Sequence, residues 1–524
     1  MNKRILALLV AFVFIFTIAA GCGNGDETTT APADDGETTT TAPADDGDDE
    51  TETTEATEPE GDPVELIWIM GNPGRVPNDQ EAVEAVLNDI SVPLLNVTMQ
   101  TLYYDNDRTM LALSTGEYYD MVFTCEWFNN YAVQANAGYF ADITDMVQTE
   151  TPELFATMPE VVWDGSRVNG NIYAIPVKKD YAAEVFWRFD KGLFVDELGF
   201  DVEWEMDFHD AEEFLSAAKE ANESGVEAAS DAQFPLMLTR GGLGGLDAGY
   251  DHINRQSLLA IPYHTVGTAA EDTIIVTVED DELFDRLTSL HAWYKAGYIN
   301  QDAATVDDVG SYSAVKSGQG FYGADAIWSG GDGYTQVISK FSGPYLSTSS
   351  IRGSMNAISN NSDYIELALK YQELVNTNQE YRDILRYGIE GEHWNFTDEG
   401  LVQRTEAGRN NYGPWPFSQG SYSLSSVEAA EGVDVDPNMW DVIFDGYSEA
   451  VATKTIGFSF NIEAVESEVA VLNVIREKYW TGLVTGTTDP AVEVPRMIAE
   501  MEDAGLRDVQ AEAQSQFDAW LASN

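Results

Sequence analysis

Several tryptophans of this chain stand close to polar side chains, a combination suited to binding a ligand without covalent chemistry. Aromatic rings stack on the apolar faces of sugars, while amide, carboxylate and guanidinium groups hydrogen-bond the hydroxyls. Each ring is about equally compatible with packing in a core, where Trp163 and Trp204 are expected. The candidate ligand-binding residues are Trp127, Asn129, Trp187, Arg188, Asp325, Trp328, Glu392, His393, Trp394 and Trp415.

Catalytic chemistry has much weaker support in the sequence. Glu390 and Glu392 form the best acid pair, and a glycosidase needs two carboxylates flanking the scissile bond. Because the chain has 90 acidic residues, such a pair arises easily by chance. The motifs H-E-x-x-H, G-x-S-x-G and C-x-x-C are absent, and the 5 histidines lack metal-ligand spacing. We therefore predict no catalytic residue, no metal and no cofactor.

The net charge of the chain is −63, and the acidic residues extend through the whole sequence. A surface of this kind repels polyanions, which excludes nucleic acid as an expected partner. The chain has 2 cysteines, Cys22 and Cys125. Since Cys22 lies in the export region discussed next, Cys125 has no predicted disulfide partner.

The amino terminus has the pattern of an exported and anchored protein. Lys3 and Arg4 precede an apolar run, and the small residues before Cys22 resemble a bacterial lipobox. We predict a signal peptide over residues 1–21 and lipidation of Cys22, with plain secretion or an uncleaved anchor as alternatives. Residues 22–63 contain no Lys or Arg, and TTTAPADDG occurs twice among them. This composition predicts a disordered acidic tether at the extracellular face of the membrane.

The folded part begins with an α/β pattern and then changes lobe. Strand and helix patterns alternate over residues 64–124 in the order β-α-β-α-β, typical of an open sheet. A short extended segment at 172–177 is followed by a second strand at 182–189, which predicts a crossover between two lobes. Ile172, Tyr173 and Pro176 are the predicted hinge residues. The glycine-rich segment 241–249 lacks the spacing of a phosphate-binding loop and is predicted to be an ordinary loop.

Six stretches carry a resemblance to a known family when they are taken in order. They are LALSTGEYYDMVF at 111–123, GYFADIT at 138–144, NGNIYAIPVKKDYAAEVFWRFDKGLF at 169–194, YKAGYINQD at 294–302, RYGIEGEHW at 386–394 and GFSF at 457–460. Together they resemble the family 1 extracellular solute-binding proteins, in particular the carbohydrate-binding lipoproteins of Gram-positive-type ABC importers.

This resemblance implies the type II periplasmic-binding-protein fold, an α/β fold in which two lobes enclose an interlobe ligand cleft and are joined by a strand hinge. Lobe I is expected to contain residues 64–175 and 350–395, and lobe II residues 176–349 and 396–524. The implied function is capture of a neutral sugar or oligosaccharide by a monomer, followed by delivery to ABC permease subunits. Two alternatives stay open: an exported polysaccharide-active enzyme that uses Glu390 and Glu392, and a peptide-binding or adhesive surface lipoprotein.

Replacement of Cys22 by Ser tests the predicted anchor. The variant cannot be diacylated, so we expect release of the protein from membranes into the medium, measured by immunoblotting of cell and medium fractions. Cys125→Ser is the matched control and should leave the distribution unchanged. Equal membrane retention of Cys22→Ser and the parent would contradict the lipid anchor.

Overall fold

The computed structural model describes residues 61–71 and 76–523. The predicted signal peptide, Cys22 and most of the predicted tether lie outside the described residues. Among the described helices, none has the length and apolar character needed to cross a membrane.

The first sheet has five strands, and its first three run parallel. In spatial order they are Val97–Tyr104, Val64–Gly71, Met121–Thr124, Met355–Ile358 and Ala174–Pro176. The predicted β-α-β-α-β order is confirmed, because helices Gln80–Leu95 and Asn106–Thr115 connect the parallel strands. The second helix begins where the Asp105 side chain accepts a hydrogen bond from the Arg108 N–H, and it ends at Gly116 with φ of 70°.

A second sheet has four strands, in the order Val451–Ala452, Gln336–Leu346, Ala183–Asp190 and Val315–Gly320. The two central strands pair antiparallel. Two smaller sheets contain Tyr250–Asn254, Leu259–Pro262 and Ile275–Val276 in one case, and Trp394–Phe396 and Val402–Arg404 in the other. The glycine-rich segment 241–249 is a loop, as predicted.

Helices cover both large sheets. The remaining α-helices are Tyr131–Asn136, Met146–Thr149, Pro152–Ala156, Glu160–Ser166, Ala211–Glu223, Asp281–Ala296, Ala324–Asp332, Thr348–Ile351, Ile365–Thr377, Gln379–Tyr387, Glu406–Asn411, Met439–Gly446, Glu466–Val484, Pro490–Asp503 and Leu506–Ser523, and a π-helix spans Gly192–Glu197. Short 3₁₀ turns lie at Phe208–Asp210, Glu227–Ala229, Tyr263–Thr265, Thr277–Glu279, Pro416–Ser418, Tyr422–Leu424, Tyr447–Glu449 and Glu463–Val465.

Each large sheet has its own hydrophobic core. The core of the first sheet includes Trp68, Trp163 and Ile358, and that of the second includes Trp187, Trp293 and Phe517. Residues 412–447, predicted for lobe II, contribute six buried side chains to the core of the first sheet: Tyr412, Tyr422, Met439, Trp440, Ile443 and Tyr447. The division into lobes stays a prediction, and on this packing we propose that the return to lobe II lies near residue 450.

The first crossover lies later in the chain than the sequence pattern predicts. Ile172 is fully buried in the core of the first sheet, the Tyr173 N–H donates to the Tyr131 hydroxyl at 3.0 Å, and Pro176 pairs with Met355. All three predicted hinge residues are therefore held by contacts of the first sheet and its core. The segment that connects the two sheets is 177–182, and a second connection follows Leu346 and ends before Met355.

Trp187 was expected at a ligand site, but its side chain is fully buried against Phe208 and Trp293. Truncation to Ala would leave a large cavity, so Trp187→Ala should lower the free energy of unfolding by about 3 to 5 kcal/mol. The midpoint of urea denaturation measures this loss. Trp127→Ala is the matched control, because its side chain is 60% exposed and its removal should shift the midpoint little. Equal midpoints for the two variants would contradict the placement of Trp187.

Candidate functional site

Three of the predicted tryptophans meet at one cavity between the two large sheets. Trp127, Trp328 and Trp415 line a space of about 350 Å³. Strand residue Gln319 contributes from the second sheet, and Ser354, next to strand Met355–Ile358, contributes from the first. The cavity therefore lies next to the two segments that connect the sheets, 177–182 and 347–354.

The Trp127 ring is presented by the loop that follows strand Met121–Thr124. Its indole N–H donates to the Gly353 carbonyl at 3.2 Å, and its ring stands edge-on to Trp415 with centroids 5.4 Å apart. Asn130 ends the loop by accepting a hydrogen bond from the Val133 N–H at the start of the next helix. The ring is thus fixed at its edge while most of its face stays exposed.

Asn129 shapes this loop from within. Its side chain is 2% exposed, its φ is 47°, and its N–H donates to the Asn106 side-chain oxygen at 2.8 Å. The Asn129 carbonyl also accepts a hydrogen bond from the Thr124 hydroxyl at 2.5 Å. Asn129 was expected to contact a ligand, but its burial instead gives it the role of holding the Trp127 loop.

Trp415 precedes the short turn Pro416–Ser418 and Phe417 lies within it, and a buried arginine holds this turn in place. Arg382 donates to the Ser421 carbonyl at 2.8 Å, to the Gln419 side-chain oxygen at 3.3 Å and to the Pro416 carbonyl at 3.2 Å. Burial, together with the nearby Arg386, lowers the pKa of Arg382 to about 9. No local pattern predicts this role, since Arg382 and the turn lie more than thirty residues apart in the chain.

Trp328 enters the cavity from helix Ala324–Asp332. The Arg188 guanidinium carbon lies 4.3 Å from the centre of its ring and is held by Asp332 at 2.6 Å. A side chain at Gly320 would meet the same ring, because a Cβ there would lie 2.3 Å from it. Arg188, predicted as a ligand contact, therefore supports the Trp328 ring from the side of the second sheet.

The crossover segment 177–182 supplies a charged pair to the same cavity. The Lys179 ammonium lies 3.0 Å from an Asp180 carboxylate oxygen, and both residues are buried. The ammonium also lies 5.8 Å from the centre of the Phe417 ring. These residues were missed at the level of sequence, where VKKD was interpreted only as part of a connection.

A second cavity of about 360 Å³ adjoins the first and shares Trp127, Lys179 and Gln319 with it. One of its carboxylates, that of Asp247, has two basic neighbours. Asp247 lies 2.9 Å from His252 and 2.8 Å from Arg255, which outweigh the effect of burial and hold its pKa below the usual range. A further cavity of about 590 Å³ also includes Trp127, so this ring lies at the junction of three spaces.

A buried carboxylate and two stacked rings complete the second cavity. Asp251 accepts hydrogen bonds from the hydroxyls of Thr453 and Thr455, which follow strand Val451–Ala452 of the second sheet. Tyr263 and Tyr345 stack with their ring centroids 4.1 Å apart. Both sides of the cleft therefore offer aromatic surface next to hydrogen-bonding groups.

Comparison with known proteins agrees with this architecture. Residues 454–522 match a family model described as a domain of unknown function, DUF3502. A carbohydrate ABC transporter substrate-binding protein of Streptococcus pneumoniae serotype 4 is 26% identical over 424 residues, which cover 78% of this chain and 80% of that protein.

Two solved structures of one protein superpose over most of the chain. The N-glycan transport solute binding protein of Streptococcus pneumoniae matches with a TM-score of 0.76 at 22% identity, covering 88% of this chain and 99% of its own. Its structure in complex with Man1GlcNAc matches with a TM-score of 0.70 at 22% identity, covering 87% and 99%. This chain has the fold of the two-lobed solute-binding proteins. The predicted fold class and the resemblance stated from the sequence are thereby confirmed.

Like Asn129, Trp187 and Arg188, four further predicted site residues lie outside the lining of the cleft cavities. Trp394 is buried and its indole N–H donates to the Gly388 carbonyl at 2.8 Å. His393 is fully buried, and Glu392 next to it is exposed. Asp325 lies on helix Ala324–Asp332 but lines a separate cavity. Neither Glu390 nor Glu392 lines a cavity of the cleft.

His393 has a structural role that its tautomer explains. Its Nδ1 accepts a hydrogen bond from the Ile389 N–H at 2.9 Å, so the ring proton lies on Nε2, 3.1 Å from Asp79. The ring therefore ties segment 388–394 to the start of helix Gln80–Leu95.

Trp127 and Trp394 should respond in opposite ways to truncation. Trp394→Ala should lower the melting temperature, because it removes a buried ring and leaves the Gly388 carbonyl without its partner. Trp127→Ala should leave the melting temperature nearly unchanged. If Trp127 stacks on a sugar, affinity should fall by about 1.5 to 3 kcal/mol, roughly ten- to two-hundred-fold.

Calorimetric titration and thermal unfolding of both variants separate these outcomes. A lowered melting temperature of Trp127→Ala with unchanged affinity would show that Trp127 is a core residue. Unchanged affinity and stability would remove it from the site.

Proposed function

We propose that this chain is the substrate-binding protein of an ABC importer and that it captures an oligosaccharide in the cleft between its two lobes. The observation that carries the proposal is the convergence of Trp127, Trp328 and Trp415 on one cavity lined from both large sheets. Rings in this arrangement provide flat surfaces for sugar faces. The similarity to a carbohydrate ABC transporter substrate-binding protein supports the same class of function.

The charges of the cleft favour a neutral ligand. Lys179 pairs with Asp180, and Asp247 pairs with Arg255, so these groups enter the site already compensated. A charged ligand would have to break such pairs, whereas sugar hydroxyls can add hydrogen bonds to them. The adjoining cavities that share Trp127 give room for several sugar units, which favours an oligosaccharide.

Closure of the lobes is the mechanism that this arrangement supports. A sugar that contacts Trp127 from the first lobe and Trp328 from the second binds best when the lobes approach each other, so it shifts the population toward a closed state. We place the hinge in the connections 177–182 and 347–354, because the strands on either side are fixed in their sheets. An ABC permease would then recognise the closed form.

The location and assembly belong to the same proposal. Lipidation at Cys22 would hold a monomer at the extracellular face of the membrane, near its permease. The rival enzyme function would require Glu390 and Glu392 to flank a substrate, but both side chains are exposed outside the cleft cavities. No observation on the described residues favours a peptide-binding or adhesive function over capture of a sugar.

A panel of neutral oligosaccharides, including mannose- and N-acetylglucosamine-containing glycans, tests the proposal. We expect one of them to bind with one site per chain by calorimetry and to lower the radius of gyration in small-angle X-ray scattering. The decrease should come from rotation of the lobes. An unchanged profile at saturation would contradict closure.

The same samples distinguish a receptor from an enzyme. A labelled oligosaccharide should be recovered intact after long incubation with the protein. Turnover that is lost in Glu390→Gln or Glu392→Gln would support the enzyme alternative. Absence of saturable binding across the panel would overturn the sugar receptor.

A further inference from the structure

A separate cavity of about 280 Å³ lies beside the cleft and shares no lining residue with the cleft cavities. Helix Ala324–Asp332 divides the two spaces: Trp328 lines the cleft, while Asp325 and Ala326 line this second space. The other walls come from strand Gln336–Leu346 and from residues 433–439. The predicted site residue Asp325 therefore belongs here.

The aromatic rings of Trp204 and Tyr322 form one wall of this cavity. Trp204 was expected in the core, but its side chain is 41% exposed. Its ring stands edge-on to Tyr322, with centroids 5.7 Å apart at 66°. The floor is aliphatic and includes the buried side chains of Ile338 and Met439. A wall and floor of this kind favour a ligand that has an apolar stem.

Three carboxylates lie around the same space, those of Asp325, Asp434 and Asp436. The lining contains no Lys, Arg or His, and among the described residues none of the three carboxylates forms an ion pair within 4.0 Å. Asp332, on the same helix but outside this cavity, is by contrast paired with both Arg188 and Lys316. Burial raises the pKa of Asp325, as expected for a carboxylate without a cationic neighbour.

We propose that this cavity binds an organic cation, an ammonium or guanidinium group carried on a short alkyl stem. The stem would lie on Ile338 and Met439, and the cationic head would lie among the carboxylates and against the Trp204 ring. The three carboxylates have no cationic partner and would therefore attract the cationic head. The aromatic face adds cation–π attraction. A bare metal ion would leave the aromatic and aliphatic walls unused.

n-Butylammonium chloride is a suitable probe, with n-butanol as its neutral counterpart and NaCl at matched ionic strength. In the full chain labelled with ¹⁵N-tryptophan, we expect the indole resonance of Trp204 to shift saturably with n-butylammonium. Trp204→Phe assigns the resonance by removing it. Neither n-butanol nor NaCl should produce the same saturable shift, because one lacks the charge and the other lacks the stem.

Two variants test the named groups through the affinity for n-butylammonium measured by calorimetry. Trp204→Ala should weaken binding about 2- to 30-fold, the range of cation–π energies. Asp436→Asn keeps the shape of the side chain and should weaken binding about 2- to 5-fold. Asp398→Asn removes one exposed charge outside this cavity and should have no effect.

Each other result would overturn the assignment. Equal shifts with n-butanol would show that the cavity binds apolar groups without regard to charge. Equal shifts with NaCl would show only the general attraction of cations to an acidic protein. Equally weakened binding in Asp398→Asn and Asp436→Asn would also indicate general electrostatic attraction and not a site at this cavity. Binding of an oligosaccharide is independent of these outcomes, since the cleft shares no lining residue with this cavity.

Discussion

Two large hydrophobic cores, one at each large sheet, are the constraint on which the rest of this structure depends. Each large sheet buries its own set of side chains, and the chain passes between them by short connections such as 177–182. Because most apolar side chains of each sheet are buried against its own helices, cavities remain between the two sheets. The cleft follows from that division, and the proposed closure depends on it.

Buried cations fix the loops that face the cleft. Arg382 holds the turn that carries Trp415, while Arg352 donates to the Gly165 carbonyl at 2.8 Å and lies 3.6 Å from Glu126 in the Trp127 loop. Removing a guanidinium from water is costly, and several hydrogen bonds to each one offset that cost. The Trp127 and Trp415 rings are therefore held in fixed positions, because buried arginines hold the loops that carry them.

The strand Ala183–Asp190 explains why two neighbouring site candidates, Trp187 and Arg188, have different surroundings. Successive side chains on a strand point to opposite faces. Trp187 therefore points into the second core toward Trp293, while Arg188 points toward Trp328 at the cleft side. Both faces of this strand are covered, so the apolar pattern of the sequence is nearly continuous and does not distinguish them. Only the packing of the helices decides which residue is core.

The sequence by itself determined the α/β order of the first sheet and the existence of a crossover, because strand and helix periods and turn residues are local properties. It also placed Trp127, Trp328 and Trp415 among the site candidates. The tertiary structure alone decided that Trp394 and His393 are buried, that Asp325 faces a different cavity and that Lys179 faces the cleft. These facts depend on contacts between segments far apart in the chain, such as Arg382 with Pro416 and His393 with Asp79, and no local pattern encodes such contacts.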